Sequence, residues 1–199
     1  ISLGSDITLG KGERTIKRHL KYANFSDVKI HMILLSPIKT NIYKKKITRK
    51  NRIFIYPLAC NNHFLLLLKG ITKSISLCKK IKFNLIYSQD PFGTALIANI
   101  IRKIFKIPLL IGNHSSFVSN KDWLNERPIY FRFLSFLMYL NLPLADAWRV
   151  NNKKEKEKYI NYHGIQANRI VVNNTLVDTK TFTKKFDTNL INDFKSNIT

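Results

Sequence analysis

An α/β fold is what the sequence predicts: a doubly wound, mostly parallel sheet with helices on both faces. Three observations carry that expectation. Short apolar runs rich in Ile, Leu, Val and Tyr recur along the chain, amphipathic segments of helical period separate them, and the connections are short. The runs are continuous rather than alternating, which suits strands covered on both faces, as in a parallel sheet. Strand–helix alternation of this kind implies right-handed crossovers.

Taken in order, Ile1–Leu3 reads as the tail of a strand, followed by the glycine-containing loop GSDITLGKGER. Ile16, Leu20 and Ala23 line one face of a first helix. Ile30–Leu35 (IHMILL) and Ile53–Tyr56 (IFIY) are strands, and Leu65, Leu68, Ile71, Ile75 and Cys78 line a second helix. Leu85–Ser88 (LIYS) leads into QDPFGTALIANIIRKIFKIP, the clearest helix of the chain. There Asp90 is expected as N-cap and Pro91 at the first helical position. Leu96, Ile97, Ile100, Ile101, Ile104 and Phe105 form its apolar stripe. Arg102, Lys103 and Lys106 sit where the helix dipole favours cations, and Pro108 ends the element. A strand follows at Leu109–Ile111.

The segment WLNERPIYFRFLSFLMYL is rich in aromatics, and the spacing of Phe133, Phe136, Leu137 and Leu140 predicts a buried helix face rather than a strip that stacks on nucleic acid bases. Ala147–Val150 (AWRV) and Ile170–Val172 (IVV) are strands. Between them KKEKEKYINYHGI reads as a helix closed by Gly164, a residue that tolerates the left-handed conformation. After Thr179 the chain turns polar and irregular. Residues 1–178 are therefore expected as one domain and 179–199 as a linker.

Lys and Arg number 34 against 12 Asp and Glu, a formal charge of +22. Such a charge attracts phosphates and anionic surfaces. It also travels with abundant Ile and Asn along the whole chain, as compositional drift would produce. Cys60 and Cys78 fit neither a disulfide framework nor a metal site. The glycosylation-type triplets at Asn24, Asn113, Asn173 and Asn197 are what chance gives in a chain rich in Asn, Ser and Thr. The most apolar long stretch, Phe133–Ala145, contains Asn141 and Pro143 and is shorter than the roughly 20 residues a spanning helix needs. A cytoplasmic location is expected, extending to the inner face of the membrane.

Ligands of such sheets bind outside the carboxyl ends of the strands, and three loops qualify. In the first, Gly10, Lys11 and Gly12 would let backbone N–H groups approach a phosphate or sugar. In the second, SQDPFG, Asp90 is a cap and a candidate cleft-lining residue. The third, PLLIGNHSSF, turns from a buried strand to Asn113, His114 and Ser115. A histidine just beyond a parallel strand can donate a hydrogen bond, accept a proton or face developing charge. His19, His31, His63 and His163 lie on helix or strand surfaces without companions. There is no Ser–His–Asp arrangement, no metal-ligand spacing and no carboxylate pair.

Several of these segments, in order, resemble the N-terminal, acceptor-side half of a family 4 glycosyltransferase. They are LGKGER, then FNLIYSQDPFGTALIANIIRKIFKIPLLIGNH, then LADAWRVNNKKEKEKYINYHGIQANRIVVNNTLVDTKTF. The resemblance implies the Rossmann-like half of a GT-B architecture, with a donor-binding domain to follow. It implies transfer of a sugar from a nucleotide-sugar donor to a glycan or lipid-linked acceptor, as in polysaccharide biosynthesis. No cofactor and no metal are implied, and no specific nucleic acid. By this likeness the loop Gly10–Gly12 lies near the acceptor and donor phosphates, and His114 is the acceptor-domain histidine facing the reacting centre. The serine that often follows the family's "AD-x-V" strand is here Asn151–Asn152. Without a donor domain this chain alone would be inactive. Two alternatives stand beside this reading: a sugar-nucleotide epimerase-like relative, and a basic module that binds nucleic acid or another polyanion without catalysis.

Overall fold

The computed structural model describes residues 1–3, 13–25, 27–37, 47–49 and 52–174. Strands β1 (Ser2–Leu3), β2 (Ile30–Ser36), β3 (Ile47–Arg49) and β4 (Ile53–Ala59) pair in the order β1-β2-β4-β3, while β5 (Ile86–Ser88), β6 (Leu109–Gly112), β7 (Ala147–Val150) and β8 (Ile170–Val172) pair in sequence order. The two groups meet at β1. The Ile1 nitrogen donates to the Tyr87 carbonyl at 2.7 Å, and the Gln89 N–H donates to the Ile1 carbonyl at 3.1 Å. This is the bonding of a parallel pair, so one sheet runs β3-β4-β2-β1-β5-β6-β7-β8. The Ser2 hydroxyl reinforces the seam by donating to the Gln89 side chain.

Every pairing is parallel except β3–β4. The sequence reading contained no strand at β3, because KKKITRK is lysine-rich. At a sheet edge only one side of a strand pairs, so a strand of three residues, Ile47–Arg49, suffices without an apolar run. Strand β4 also runs three residues past the expected Tyr56, through Pro57. The partner β3 reaches only the level of Ile55, so the proline falls where one neighbour is enough.

The connecting helices are α1 (Glu13–Phe25), α2 (His63–Lys80), α3 (Gly93–Phe105), α4 (Lys121–Glu126), α5 (Pro128–Asn141) and α6 (Lys153–His163). Strand order reverses at β1. Right-handed crossovers then place α1 on one face and α2, α3, α5 and α6 on the other. Helix α2 packs on α3 and β2, and α3 packs on β5, β6 and α5. The approach is close at Gly70, where an added Cβ would lie 2.7 Å from Ile97 Cδ1 and 3.3 Å from Leu35 Cδ2.

Burial divides the sheet. From Met32 to Ser36, β2 is buried at every position, as expected for a strand covered twice. Strands β5 to β7 alternate instead: Ile86, Ser88, Leu109, Ile111, Trp148 and Val150 are buried, while Tyr87, Leu110, Ala147 and Arg149 are only partly so. Among the described helices only α1 lies on that second face. Helices lie on both faces of the sheet, and among the described residues those of the second half all pack on one of them. Trp148 and Tyr159, both fully buried, pack ring to ring between β7 and α6 at 5.2 Å.

Three local expectations change. Helix α3 starts at Gly93, so Asp90 is not its N-cap and Pro91 is not its first residue. Helix α5 buries Met138 and Asn141, while Phe133 and Phe136 stand 56% and 55% exposed and Ile129 90%. The helix is apolar nearly all round, so spacing alone did not fix which stripe meets the core. Asn141 explains the choice: it accepts from Asn99 Nδ2 at 2.7 Å and donates to the Pro91 and Phe92 carbonyls, both at 3.0 Å. Finally, His19, His31 and His163 do have companions. His19 meets Tyr22 edge-on, His31 stacks on Phe54 and reaches the Tyr56 hydroxyl at 3.1 Å, and His163 packs against Tyr139 and Tyr159. Gly164, by contrast, closes α6 as expected, with φ of 65°.

Candidate functional site at the carboxyl ends of β5, β6 and β7

The reversal of strand order between β1 and β5 opens the crevice in which sheets of this type bind ligands. Gly10, Lys11 and Gly12 lie outside the described residues. The other predicted residues gather around the ends of β5 and β6. His114 is two residues past Gly112, the last residue of β6, and is exposed. Its Nε2 lies 3.2 Å from the Tyr87 hydroxyl, projected from β5. Arg149 Nη1, from β7, donates to the same hydroxyl at 3.3 Å. The hydroxyl thus accepts from arginine and has its own proton to give. Where the imidazole is neutral with Nε2 unprotonated, it receives that proton and His114 carries its own on Nδ1.

Electrostatics favour the neutral ring. Partial desolvation, then the guanidinium groups of Arg149 and Arg18, hold the His114 pKa below the ordinary imidazole value, with Asp90 opposing. Arg18 belongs to α1, so the first helix contributes charge to this end of the sheet.

Gly112 makes the arrangement possible. It faces Arg149 in the β6–β7 register, and a Cβ on it would strike the Tyr87 hydroxyl and ring. The loop beyond is anchored through its backbone. The Asn113 N–H donates to the Arg149 carbonyl at 2.8 Å, and Asn151 Nδ2 donates to the His114 carbonyl at 2.6 Å. The neighbouring Asn152 caps α6 by accepting from the Glu155 N–H at 2.8 Å. The two asparagines in place of a serine thus divide the work: one holds the histidine loop and the other starts the helix.

The remaining expected residues have local partners. Asp90 accepts from the Phe92 N–H at 2.9 Å and from the Thr94 hydroxyl, tying the turn before α3. Asn113 is buried, and its Oδ1 accepts from the Ser115 N–H at 3.3 Å; its side chain does not line an open surface. Ser115 is exposed. Behind them, the buried Glu155 accepts from the Ser116 hydroxyl at 2.6 Å and pairs with Lys158 at 3.1 Å. Buried side-chain atoms without a hydrogen bond concentrate here, among them Arg149 Nε, Asn151 Oδ1 and Glu155 Oε2. Such atoms usually await water or a ligand.

Sequence reasoning missed Tyr87 and Arg149. A signal existed: a tyrosine and an arginine each stand inside an otherwise apolar strand, beside strand ends already under suspicion. Asp146, of the Ala145–Asp146 pair, holds the frame instead. It takes Arg102 in a two-bond pair at 2.6 and 2.7 Å and accepts the Leu109 N–H at 2.8 Å. An open groove of about 520 Å³ lies at the opposite end of the sheet, lined by residues of the α2–β5 and α3–β6 connections such as Lys80, Phe83 and Lys106. It is remote from the histidine. Among the described residues no group of three His, Cys, Asp or Glu side chains gathers as a metal cluster.

This is a Rossmann-like domain with a polar site at its switch point. Residues 13–181 match the profile of Glycosyltransferase Family 4, and the chain belongs to that family. In fold it is similar to the UDP-GlcNAc 2-epimerase from Methanocaldococcus jannaschii, with a TM-score of 0.55 and 18% identity over 86% of this chain and 44% of that one. Anabaena HepE in complex with UDP and glucose gives a TM-score of 0.50 and 14% identity over 83% and 42%. The chain spans less than half the length of these solved structures. No curated protein sequence matches it.

Proposed function

We propose that this chain is the acceptor-side domain, residues 1–178, of an enzyme that transfers a sugar from a nucleotide-sugar donor to a glycan or lipid-linked acceptor. One observation carries the reading. His114, neutral and oriented by Tyr87, stands at the carboxyl end of β6 beside the switch point of a family 4 domain. Transfer requires the donor diphosphate to be stabilised and an acceptor hydroxyl to be held against an electron-deficient sugar carbon. In this reading the Nδ1–H of His114 donates to a hydroxyl of the transferred sugar, and the backbone of Gly10–Gly12 approaches the phosphates. No metal or cofactor enters these steps.

The acceptor is met at a lipid surface. No described helix is long and apolar enough to cross a membrane. The outward side of α5, with Ile129, Phe133 and Phe136 exposed and Arg132 among them, is suited to lie on an anionic bilayer at the inner face of the cytoplasmic membrane.

The test is the complete coding sequence expressed with and without His114→Ala and assayed for transfer from a panel of UDP- and GDP-sugars. A loss of turnover of about a hundredfold or more is expected, in the usual range for such groups. Unchanged turnover in a folded variant removes His114 from the mechanism. Co-sedimentation with vesicles of anionic lipid, compared between wild type and Phe133→Ser/Phe136→Ser, tests the α5 contact separately.

A further inference from the structure

Among the described residues Arg149 is a cation without a counter-charge. It is only partly exposed, its Nε is buried without a partner, and its Nη1 bonds to the neutral Tyr87 hydroxyl. Three other part-buried cations are matched. Arg102 has Asp146, Lys158 has Glu155, and Arg169 donates to the Ala145 and Asp146 carbonyls. Among the described residues no carboxylate pairs with Arg149. Withdrawing a charge from water without compensation is costly, and such groups concentrate where a ligand completes them.

Its position says which ligand. Arg149 faces Gly112 in register, so no side chain intervenes between it, Tyr87 and the start of the His114 loop. Arg18 adds positive charge from α1. Asp90, whose charge reaches His114, already holds Phe92 N–H and Thr94. A planar guanidinium presents donors spaced for two oxygens of a phosphate or carboxylate, whereas a neutral sugar hydroxyl would leave the charge uncompensated. We infer that Arg149, with Tyr87 and His114, forms a receptor for an anionic group, phosphate or carboxylate, on the molecule bound by this domain. It deepens the reading above, on which that molecule is the acceptor. An acid-bearing or phosphorylated acceptor is then distinguished from its neutral counterpart on this domain alone.

The experiment uses the 199-residue chain with ¹⁵N-labelled histidine, His114 being assigned by loss of its signals in His114→Gln. Inorganic phosphate, glucose 1-phosphate, glucuronate and glucose are titrated in turn. Phosphate-bearing or carboxylate-bearing probes are expected to shift the His114 imidazole signals, with the two arms separating the kinds of anion, and glucose is expected to leave them unmoved. Arg149→Gln should weaken the response by roughly tenfold to a hundredfold, the span of a charged hydrogen bond. Arg149→Lys should retain part of it, and Lys79→Gln/Lys80→Gln, at the far groove, all of it. The substitutions leave the backbone bonds of residue 149 intact. The wild-type titration decides alone if a variant does not fold: no anion response at His114 overturns the receptor, as does wild-type affinity in folded Arg149→Gln. Transfer by the full-length enzyme without any anion response sinks this inference and leaves the transferase reading standing. Anion binding without transfer does the reverse.

Discussion

Replacing Gly112 with alanine tests the geometry of the site without touching any polar group. The new Cβ falls well inside van der Waals contact of the Tyr87 hydroxyl oxygen, and 3.1 and 3.2 Å from Tyr87 Cζ and Cε2. The ring must therefore swing away, and the hydroxyl bonds to His114 and Arg149 go with it. Overpacking of this kind costs about 1–3 kcal/mol. Each lost bond adds about 0.5–1.5 kcal/mol, at the low end here because the pair is partly solvated. Against this, Gly→Ala restricts the unfolded chain and returns about 0.4–1 kcal/mol. The net expectation is a loss of about 2 kcal/mol, or a Tm lower by about 4–8 °C for a chain of this size. The assay is urea unfolding of Gly112→Ala, Tyr87→Phe and the double variant. Removing the hydroxyl removes both the nearest obstacle and the bonds. Gly112→Ala should therefore cost much less in the Tyr87→Phe background, with a coupling of about 1 kcal/mol or more. Additive effects, or a neutral Gly112→Ala, refute the proposed role of the glycine.

Other expectations follow from the same structure. Asp146 has a pKa lowered to about 2, chiefly by its hydrogen bond to Arg102. A carboxylate depressed in the folded state stabilises above its unfolded pKa and loses that contribution as pH falls through the folded one. Asp146→Asn should therefore cost about 1 kcal/mol at pH 7, discounted for its exposure, a cost that fades as pH falls towards 2 and is gone below it, as read by denaturation across that range. Transfer activity should fall on the acid side as neutral His114 is protonated, below the ordinary imidazole pKa. Arg149→Gln removes a nearby positive charge and should move that limb to higher pH. Lys106 ends α3 in the left-handed conformation with φ of 56°, so Lys106→Gly should raise stability by about 0.5–1 kcal/mol in thermal unfolding. Asn141→Leu strips the Pro91 and Phe92 carbonyls and Asn99 of their buried partner, and a loss of about 2–4 kcal/mol is expected from chemical denaturation.

Much of the fold was legible because its signals are local. The runs at Ala147–Val150 and Ile170–Val172 are strands at the boundaries read from sequence, and Gly164 stops its helix because few other residues tolerate that backbone. Strand β3 was not legible, since its three residues, Ile47–Arg49, carry no apolar run. The α3 start was misplaced because Asp90 has the composition of a cap, yet its carboxylate closes a turn one step earlier. At α5, residues apolar on every side left the buried stripe to be chosen by Asn141, through partners 49 and 50 positions away.

The sequence by itself determined the alternation of strand and helix, hence the doubly wound sheet, and it singled out His114 by its place after an apolar strand. Both follow from periodicity and chain order. Only the tertiary structure decided what surrounds that histidine. Tyr87, Gly112 and Arg149 lie on three strands far apart in the chain, and nothing local marks them as neighbours. Parallel pairing brings them into register, the missing Cβ of Gly112 lets the tyrosine cross to the arginine, and the same tyrosine hydroxyl holds the ring of the loop histidine.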